Sequence, residues 1–160
     1  MIKKIDGYLL TSSINHKYIV KVRPFVTAKT DDMYDHIKPT QRNFQPNVYI
    51  SHVGTNDLPT DMTPEEISEK IITFSKHLKS EDNEVVVSGI VPRGDYYKEK
   101  AEAVNKVLKD ACTKENMHFI CHSNINVKRH LNRSNLHLND HGISDLVRNF
   151  KNFLNNFESV

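Results

Sequence analysis

Glycine is sparse in this sequence. Five glycines are scattered over 160 residues, which leaves no glycine-rich loop to cradle a nucleotide phosphate. Cysteine is scarcer: Cys112 and Cys121 are the only two. The N-terminal stretch Met1-Ile2-Lys3-Lys4-Ile5-Asp6 lacks the apolar centre of a signal peptide. Both features point to free thiols in a reducing, cytoplasmic setting rather than to a disulfide. No Cys-x-x-Cys or His-Glu-x-x-His pattern occurs. Nine histidines are present, and the pairs His118/His122, beside Cys121, and His137/His141 are spaced i, i+4. The first pair falls in an expected strand, where residues four apart share a face but stand too far apart to chelate one ion easily. Neither a metal nor another cofactor is expected. No apolar run is long enough to span a bilayer, so no membrane partner is expected. A strong charge of either sign is missing too. The formal net charge is +2, with acidic and basic residues interspersed. The densest basic cluster, Lys128-Arg129-His130 with Arg133, is short, which argues against a nucleic-acid partner. Internal repeats and low-complexity tracts are absent.

What remains is the composition of a globular domain, with 38% hydrophobic and 26% charged residues and length enough for one core. Short β-branched or aromatic runs at 48–53, 84–91 and 118–122 read as strands covered on both faces. A more mixed run at 18–23 reads as an edge strand. Helical patterns separate them. One spans 31–44, with Thr30 or Asp31 as its cap and Pro39 kinking or ending its first part. The clearest spans 63–78. There Thr63 caps, Pro64 suits the first turn, Glu66 completes a capping box, and Ile67, Ile71, Phe74 and Leu78 share a face. A third spans 97–114, with Ala101, Val104, Leu108 and Ala111 inward. The last spans 142–157, with Ile143, Leu146, Val147, Phe150, Leu154 and Phe157 inward. Ile2, Ile5 and Leu9 already form a helical face at the start, with no strand before it.

Alternating strands and helices imply βαβ units and a mostly parallel sheet. Ligands of such sheets bind beyond the carboxyl ends of the strands. Three segments emerge there: 52–57 (His-Val-Gly-Thr-Asn-Asp), 92–95 (Pro-Arg-Gly-Asp) and the loop carrying His137. The Asn56 amide, held in a tight turn by Gly54, is a suitable hydrogen-bond donor to a developing oxyanion. Equally, Asn and Asp favour turns for conformational reasons alone. His137, flanked by Leu136 and Leu138 just before a helix, has the chemistry of a general base near neutral pH. It also reads as an ordinary exposed loop histidine. Arg93 and Asp95 read as a salt-bridged turn on the rim.

In order, Gly54-Thr55-Asn56-Asp57 after the 48–53 strand, "EVVVSGIVPRGD" after the long helix, and Leu136-His137-Leu138-Asn139 before the last helix resemble the SGNH (GDSL-type) hydrolase family over essentially the whole chain. The nearest likeness is to the SGNH esterase-like domains of invertebrate genomes, including those carried by some non-LTR retrotransposons. This resemblance implies a single flavodoxin-like α/β/α domain over residues 1–160, with a five-stranded parallel sheet. It also implies hydrolysis of small acyl esters by a serine nucleophile, a histidine base and a three-part oxyanion hole. His137 matches the base and Asn56 the hole's asparagine. Gly54 and Asp57 shape the loop.

Three departures follow from the same comparison. The Gly-Asp-Ser block is absent, and Met1 aligns just after the expected nucleophile; Ser12, Ser13 and Ser51 stand at no matching position. Thr27 aligns with the glycine of the second block, where a backbone N–H survives but glycine's close approach does not. Ser134 occupies the position of the triad acid, and a hydroxyl cannot stabilise an imidazolium as a carboxylate does. The expectation is therefore a hydrolase-lineage chain truncated before its nucleophile, lacking the central first strand and catalytically silent as it stands. The competing expectation is a binding or interaction module that uses the residual cleft, or self-association through the open sheet edge.

Overall fold

The structure is a computed structural model. It describes residue 5, residues 7–12 and residues 18–157. Met1, Ile2 and Ser13 lie outside the described residues, as do the side chains of Leu9 and Ser12. In chain order the elements are α1 (Gly7–Ser12), α2 (Met33–Asn43), β1 (Val48–Ser51), α3 (Pro64–Leu78), β2 (Glu84–Ser88), α4 (Lys98–Lys114), β3 (His118–Ile120), α5 (Val127–His130) and α6 (Asp140–Asn156). They fall into two compact units. One comprises Phe25–Val91 and Tyr96–Cys121; the other comprises Met1–Pro24, Pro92–Asp95 and His122–Val160.

The unit containing residues 25–91 and 96–121 holds the sheet. Its order is β1-β2-β3, and both pairings are parallel, with Ile50 opposite Val86 and Val87 opposite Phe119. Parallel neighbours need long crossovers, and α3 and α4 supply them. Val85, Val86 and Val87 are at most 1% exposed, as an uninterrupted apolar run demands when both faces are covered. The start of α3 carries the expected capping box: the Thr63 hydroxyl accepts from Glu66 N, and Thr63 N donates to the Glu66 carboxylate. Its face of Ile67, Ile71, Phe74 and Leu78 is buried. Ile67 and Ile71 join Leu58, Val87, Ile90, Val104 and Leu108 in one core cluster. Phe74 and Leu78 join Ile37 of α2 and Val85 in another.

Several boundaries differ from expectation. Pro39 lies inside α2 and does not end it. Both Pro39 and Asp35 are exposed, so the carbonyl that loses its N–H partner can turn to water. Neither Thr30 nor Asp31 caps α2. The N-cap is Asp32, and its carboxylate accepts from Lys29 N rather than from the helix. The ladder of β2 stops at Ser88, yet the next backbone groups remain bonded. Gly89 N donates to Ile120 O, and the Asn105 side chain of α4 pairs with both Ile90 N and Ile90 O.

In the other unit, residues 18–23 form no strand. Val20 N donates to the Thr11 hydroxyl at 2.8 Å, and Val20 O lies where a Cβ on Gly7 would come within 2.8 Å. The segment thus gives its backbone to α1 instead of to a ladder, while Tyr18, Val20 and Val22 alternate with exposed Ile19, Lys21 and Arg23. α6 begins two residues before the expected start, because the Asn139 side chain accepts from Gly142 N. Leu146, Phe150 and Leu154 form its buried stripe. His122 lies beyond the end of β3 and is buried. Its Nδ1 accepts from Asn149 Nδ2 at 2.9 Å, and its ring stands edge-on to Phe150. Burial pushes its pKa down to about 4.

Both cysteines are free; Cys112 is buried and Cys121 exposed. No helix among the described residues is long and apolar enough to cross a membrane.

Candidate functional site

In the sheet-bearing unit, the chain leaves β1 through His52 and Val53 and turns at Gly54, whose φ is +100°. Only glycine enters this turn without strain, and a Cβ here would also lie 2.6 Å from Ile71 Cδ1. Asp57 N donates back to Gly54 O at 3.1 Å, closing the turn. Asp57 is 1% exposed and finds a partner 27 residues away: its Oδ2 accepts from both N and Oγ1 of Thr30, at 3.0 and 2.8 Å. Its Oδ1 has no hydrogen-bond partner among the described residues. Next to it, exposed Asn56 donates from Nδ2 to Ala28 O at 2.9 Å. Two adjacent residues of the strand-tip loop therefore hold residues 28 and 30 of another loop.

Thr27 sits at the head of that second loop. Its φ is +61°, in the left-handed region that favours glycine. Its hydroxyl turns back to Val26 O at 2.6 Å. Thr27 N makes no hydrogen bond among the described residues. The Asn56 amide has two protons and gives one to Ala28, so the other remains available. The same unit contains a pair that sequence reasoning passed over: His52 Nδ1 and Ser88 Oγ are 2.8 Å apart at the ends of β1 and β2. Neither partner is marked by a local motif, and only the sheet register reveals the pair.

In the other unit, His137 lies in a loop closed by a bridge between Leu131 and Leu138. Leu138 is buried and Leu136 half-buried, so the expected anchoring holds mainly on one side. Asn132 organises the loop. Asn132 N donates to His137 O at 2.7 Å. Its Oδ1 accepts from Ser134 N, Ser134 Oγ and His137 N. His137 and Ser134 are both exposed. The Ser134 hydroxyl is committed to Asn132 at 2.6 Å, and no hydrogen bond to the His137 ring is made among the described residues. Asn135, at φ +55°, accepts through its carbonyl from Gly94 N at 2.9 Å. Arg93, buried, is ion-paired to Asp95. Asn139 ties the loop to α5 and α6: its Nδ2 donates to Arg129 O and Leu131 O while its Oδ1 caps Gly142 N.

The structure thus brings Thr27, Gly54, Asn56 and Asp57 together in one unit, and Ser134 and His137 together in the other. Thr30 and Asn132, which hold these two groups in shape, carry no local signal for that role. Each acts through a polar side chain whose partner is fixed only by the fold.

Solved structures share this architecture. A member of the lipolytic G-D-S-L family from Veillonella parvula aligns with a TM-score of 0.73 at 15% identity, over 95% of this chain and 86% of its own. A GDSL-like lipase from Bacteroides thetaiotaomicron gives 0.70 at 12%, over 82% and 73%. A lipase/acylhydrolase from Enterococcus faecalis gives 0.60 at 17%, over 83% and 75%. No protein-family model and no curated protein matches the chain. The fold is therefore the flavodoxin-like α/β fold of the SGNH hydrolases, with a parallel sheet and helical crossovers.

Proposed function

We propose that the chain is a single domain of the SGNH hydrolase lineage, related to acyl-ester hydrolases and similar to the esterase-like domains of invertebrate genomes, including those carried by some non-LTR retrotransposons. Its fold neighbours are lipases and acylhydrolases, and the likeness to one of them extends over 95% of the chain. Asn56 and the Thr27 N–H would donate to the oxyanion that forms when an ester carbonyl is attacked. His137 would take the nucleophile's proton and return it to the leaving alcohol. The observation that carries the reading is the backbone of Thr27. The position where the resemblance expects glycine holds a glycine-like φ of +61°, next to the carbonyl that Asn56 grips.

A histidine has nothing to activate without a nucleophile, and no Gly-Asp-Ser triplet occurs in the 160 residues. As it stands, this sequence should hydrolyse no ester. The second reading, a module that binds an acyl ligand without turnover or pairs through the edge of β1, is favoured by Ser134, whose hydroxyl is bonded to Asn132. The two free thiols fit a reducing, cytoplasmic compartment.

The test compares this chain with a version extended by a strand ending in Gly-Asp-Ser, using a short-chain p-nitrophenyl ester. Hydrolysis confined to the extended form, abolished by His137→Ala and lowered by about 10²–10³ in kcat by Asn56→Ala, is the expected result. Turnover by the 160-residue chain that survives His137→Ala would refute the assigned roles. Silence of both forms would favour the binding module, and sedimentation would then report pairing through the sheet edge.

A further inference from the structure

One cleft of about 290 Å³ opens beside α5 and the first turns of α6. Three elements wall it. His141, Ser144, Asp145 and Arg148 fall at helical spacing along one face of α6, Arg129 and His130 come from α5, and Asn124 comes from the loop before α5. All lie in the unit that contains residues 122–160.

Counting donors and acceptors decides what this cleft can hold. Asp145 is its one carboxylate, and each of its oxygens lies against a basic side chain. Oδ1 accepts from Arg148 at 2.6 Å, and Oδ2 lies 3.4 Å from His130 Nε2. His130 Nδ1 already accepts a hydrogen bond from Asn126 N at 2.9 Å. The ring therefore presents its N–H to Asp145 and has no lone pair left for a ligand. Asn124 Oδ1 accepts from Asn149 Nδ2 at 2.8 Å, which leaves the Asn124 amide protons as its free groups. Ser144 spends its proton on Asp140 O, so its oxygen offers lone pairs, as does one ring nitrogen of a neutral His141.

The other unspent groups are mostly donors. The Arg129 guanidinium and the His141 ring make no hydrogen bond or ion pair among the described residues. The Arg148 side chain, 63% exposed, offers the N–H groups that Asp145 does not use. Two arginines face one carboxylate on the wall, an excess of one basic group. Donors converging from three elements suit a tetrahedral oxyanion, which accepts from several directions, better than a planar group. The volume is larger than a bare ion needs and near the lower end for small-molecule pockets.

We infer that this cleft binds a small molecule bearing a phosphate or sulfate group, held by Arg129 and Arg148 with the His141 and Asn124 N–H groups. The site is independent of the ester-hydrolase reading.

The experiment is a titration of the whole chain with inorganic phosphate and with sulfate, followed by amide and arginine side-chain NMR at constant ionic strength set with sodium chloride. Saturable shifts centred on Asn124, Arg129, His141 and Arg148 are expected. Arg129→Gln, a change at an exposed side chain, should weaken binding at least about tenfold, the loss of one charge-assisted contact. Lys128→Gln, exposed and outside the lining, should change it less than about twofold. Should Arg129→Gln fail to fold, His141→Gln gives the second reading and should also weaken binding. Linear, unsaturated shifts, or equal affinity in wild type and Arg129→Gln, would overturn the inference. So would binding of a single-stranded oligonucleotide in the absence of any binding of phosphate or sulfate, since the ligand would then be a polymer.

Discussion

Acid should unfold this protein partly through His122. The ring is 4% exposed, and burial lowers its pKa from 6.5 to about 4. Asn149 Nδ2 points at Nδ1, so protonating that nitrogen would set two donors against each other. The unfolded chain has no such restriction and takes up the proton near pH 6.5. The folded state therefore binds fewer protons between these values, and stability falls as pH falls. The contribution is complete above pH 6.5 and is lost as pH descends toward 4. With one pKa unit equal to about 1.4 kcal/mol, the loss is about 2 kcal/mol at pH 5 and about 3 kcal/mol at pH 4. That is a large fraction of the roughly 5–15 kcal/mol that holds a domain folded. Urea unfolding at pH 7 and pH 5, on wild type and His122→Gln, isolates it. Glutamine can still accept from Asn149 but does not titrate, and the other histidines and the carboxylates cancel in the difference. The wild type should lose about 2 kcal/mol more than the variant between the two pH values. Parallel losses, equal within about 0.5 kcal/mol, would show that His122 is not held neutral by burial and would refute the argument.

Three further perturbations probe other parts of the structure. Thr30→Val removes the hydroxyl that donates at 2.8 Å to buried Asp57; a loss of about 1.5–3 kcal/mol by denaturant unfolding is expected, and an unchanged midpoint would contradict the role given to this bond. Gly142→Ala places a Cβ 2.3 Å from His130 O, a backbone atom that cannot swing aside, so α6 must shift at a cost of about 1–3 kcal/mol or more, read as a lowered Tm. The thiols should separate by reactivity: exposed Cys121 reacts with an aromatic disulfide reagent in the native protein. Cys112, buried and with its pKa pushed up to about 11, reacts only after urea is added, so native titration yields one equivalent and denatured titration two.

The legible parts of the sequence are those whose causes are local. The start of α3 is written in three signals within four residues, Thr63, Pro64 and Glu66, and its buried face repeats every three or four residues. Val85, Val86 and Val87 announce a covered strand in the same way. Residues 18–23 read as an edge strand from a more mixed run, and their burial does alternate along the segment. What they lack is a ladder, and a ladder belongs to two segments at once. Pro39 reads as a kink or an end of the first part of this helix, and α2 runs through it. The cost of a proline inside a helix depends on whether the orphaned carbonyl can reach water, and exposure is a property of the fold. Thr30 read as a cap for the helix beside it, yet its hydroxyl serves Asp57, 27 residues away.

The two substitutions at the proposed site behave differently, and the difference follows from which atoms a position must supply. An oxyanion donor drawn from the backbone needs an N–H and the φ that aims it. Thr27 keeps the left-handed φ of +61° that a glycine would adopt, at a cost on the order of 1 kcal/mol or more for a residue with a Cβ. The neighbouring contacts, Asn56 to Ala28 and Asp57 to Thr30, fix residues 28 and 30 of the same loop. On the proposed roles, a change of side chain there would leave the donor in place. The triad acid is a side-chain role, and Ser134 has no carboxylate to offer an imidazolium. Its hydroxyl instead donates to Asn132 Oδ1, in its own loop. Restoring a carboxylate by Ser134→Asp in the Gly-Asp-Ser-extended form therefore tests more than replacing Thr27 by glycine. The first supplies chemistry that is absent, whereas the second relaxes a conformation already held.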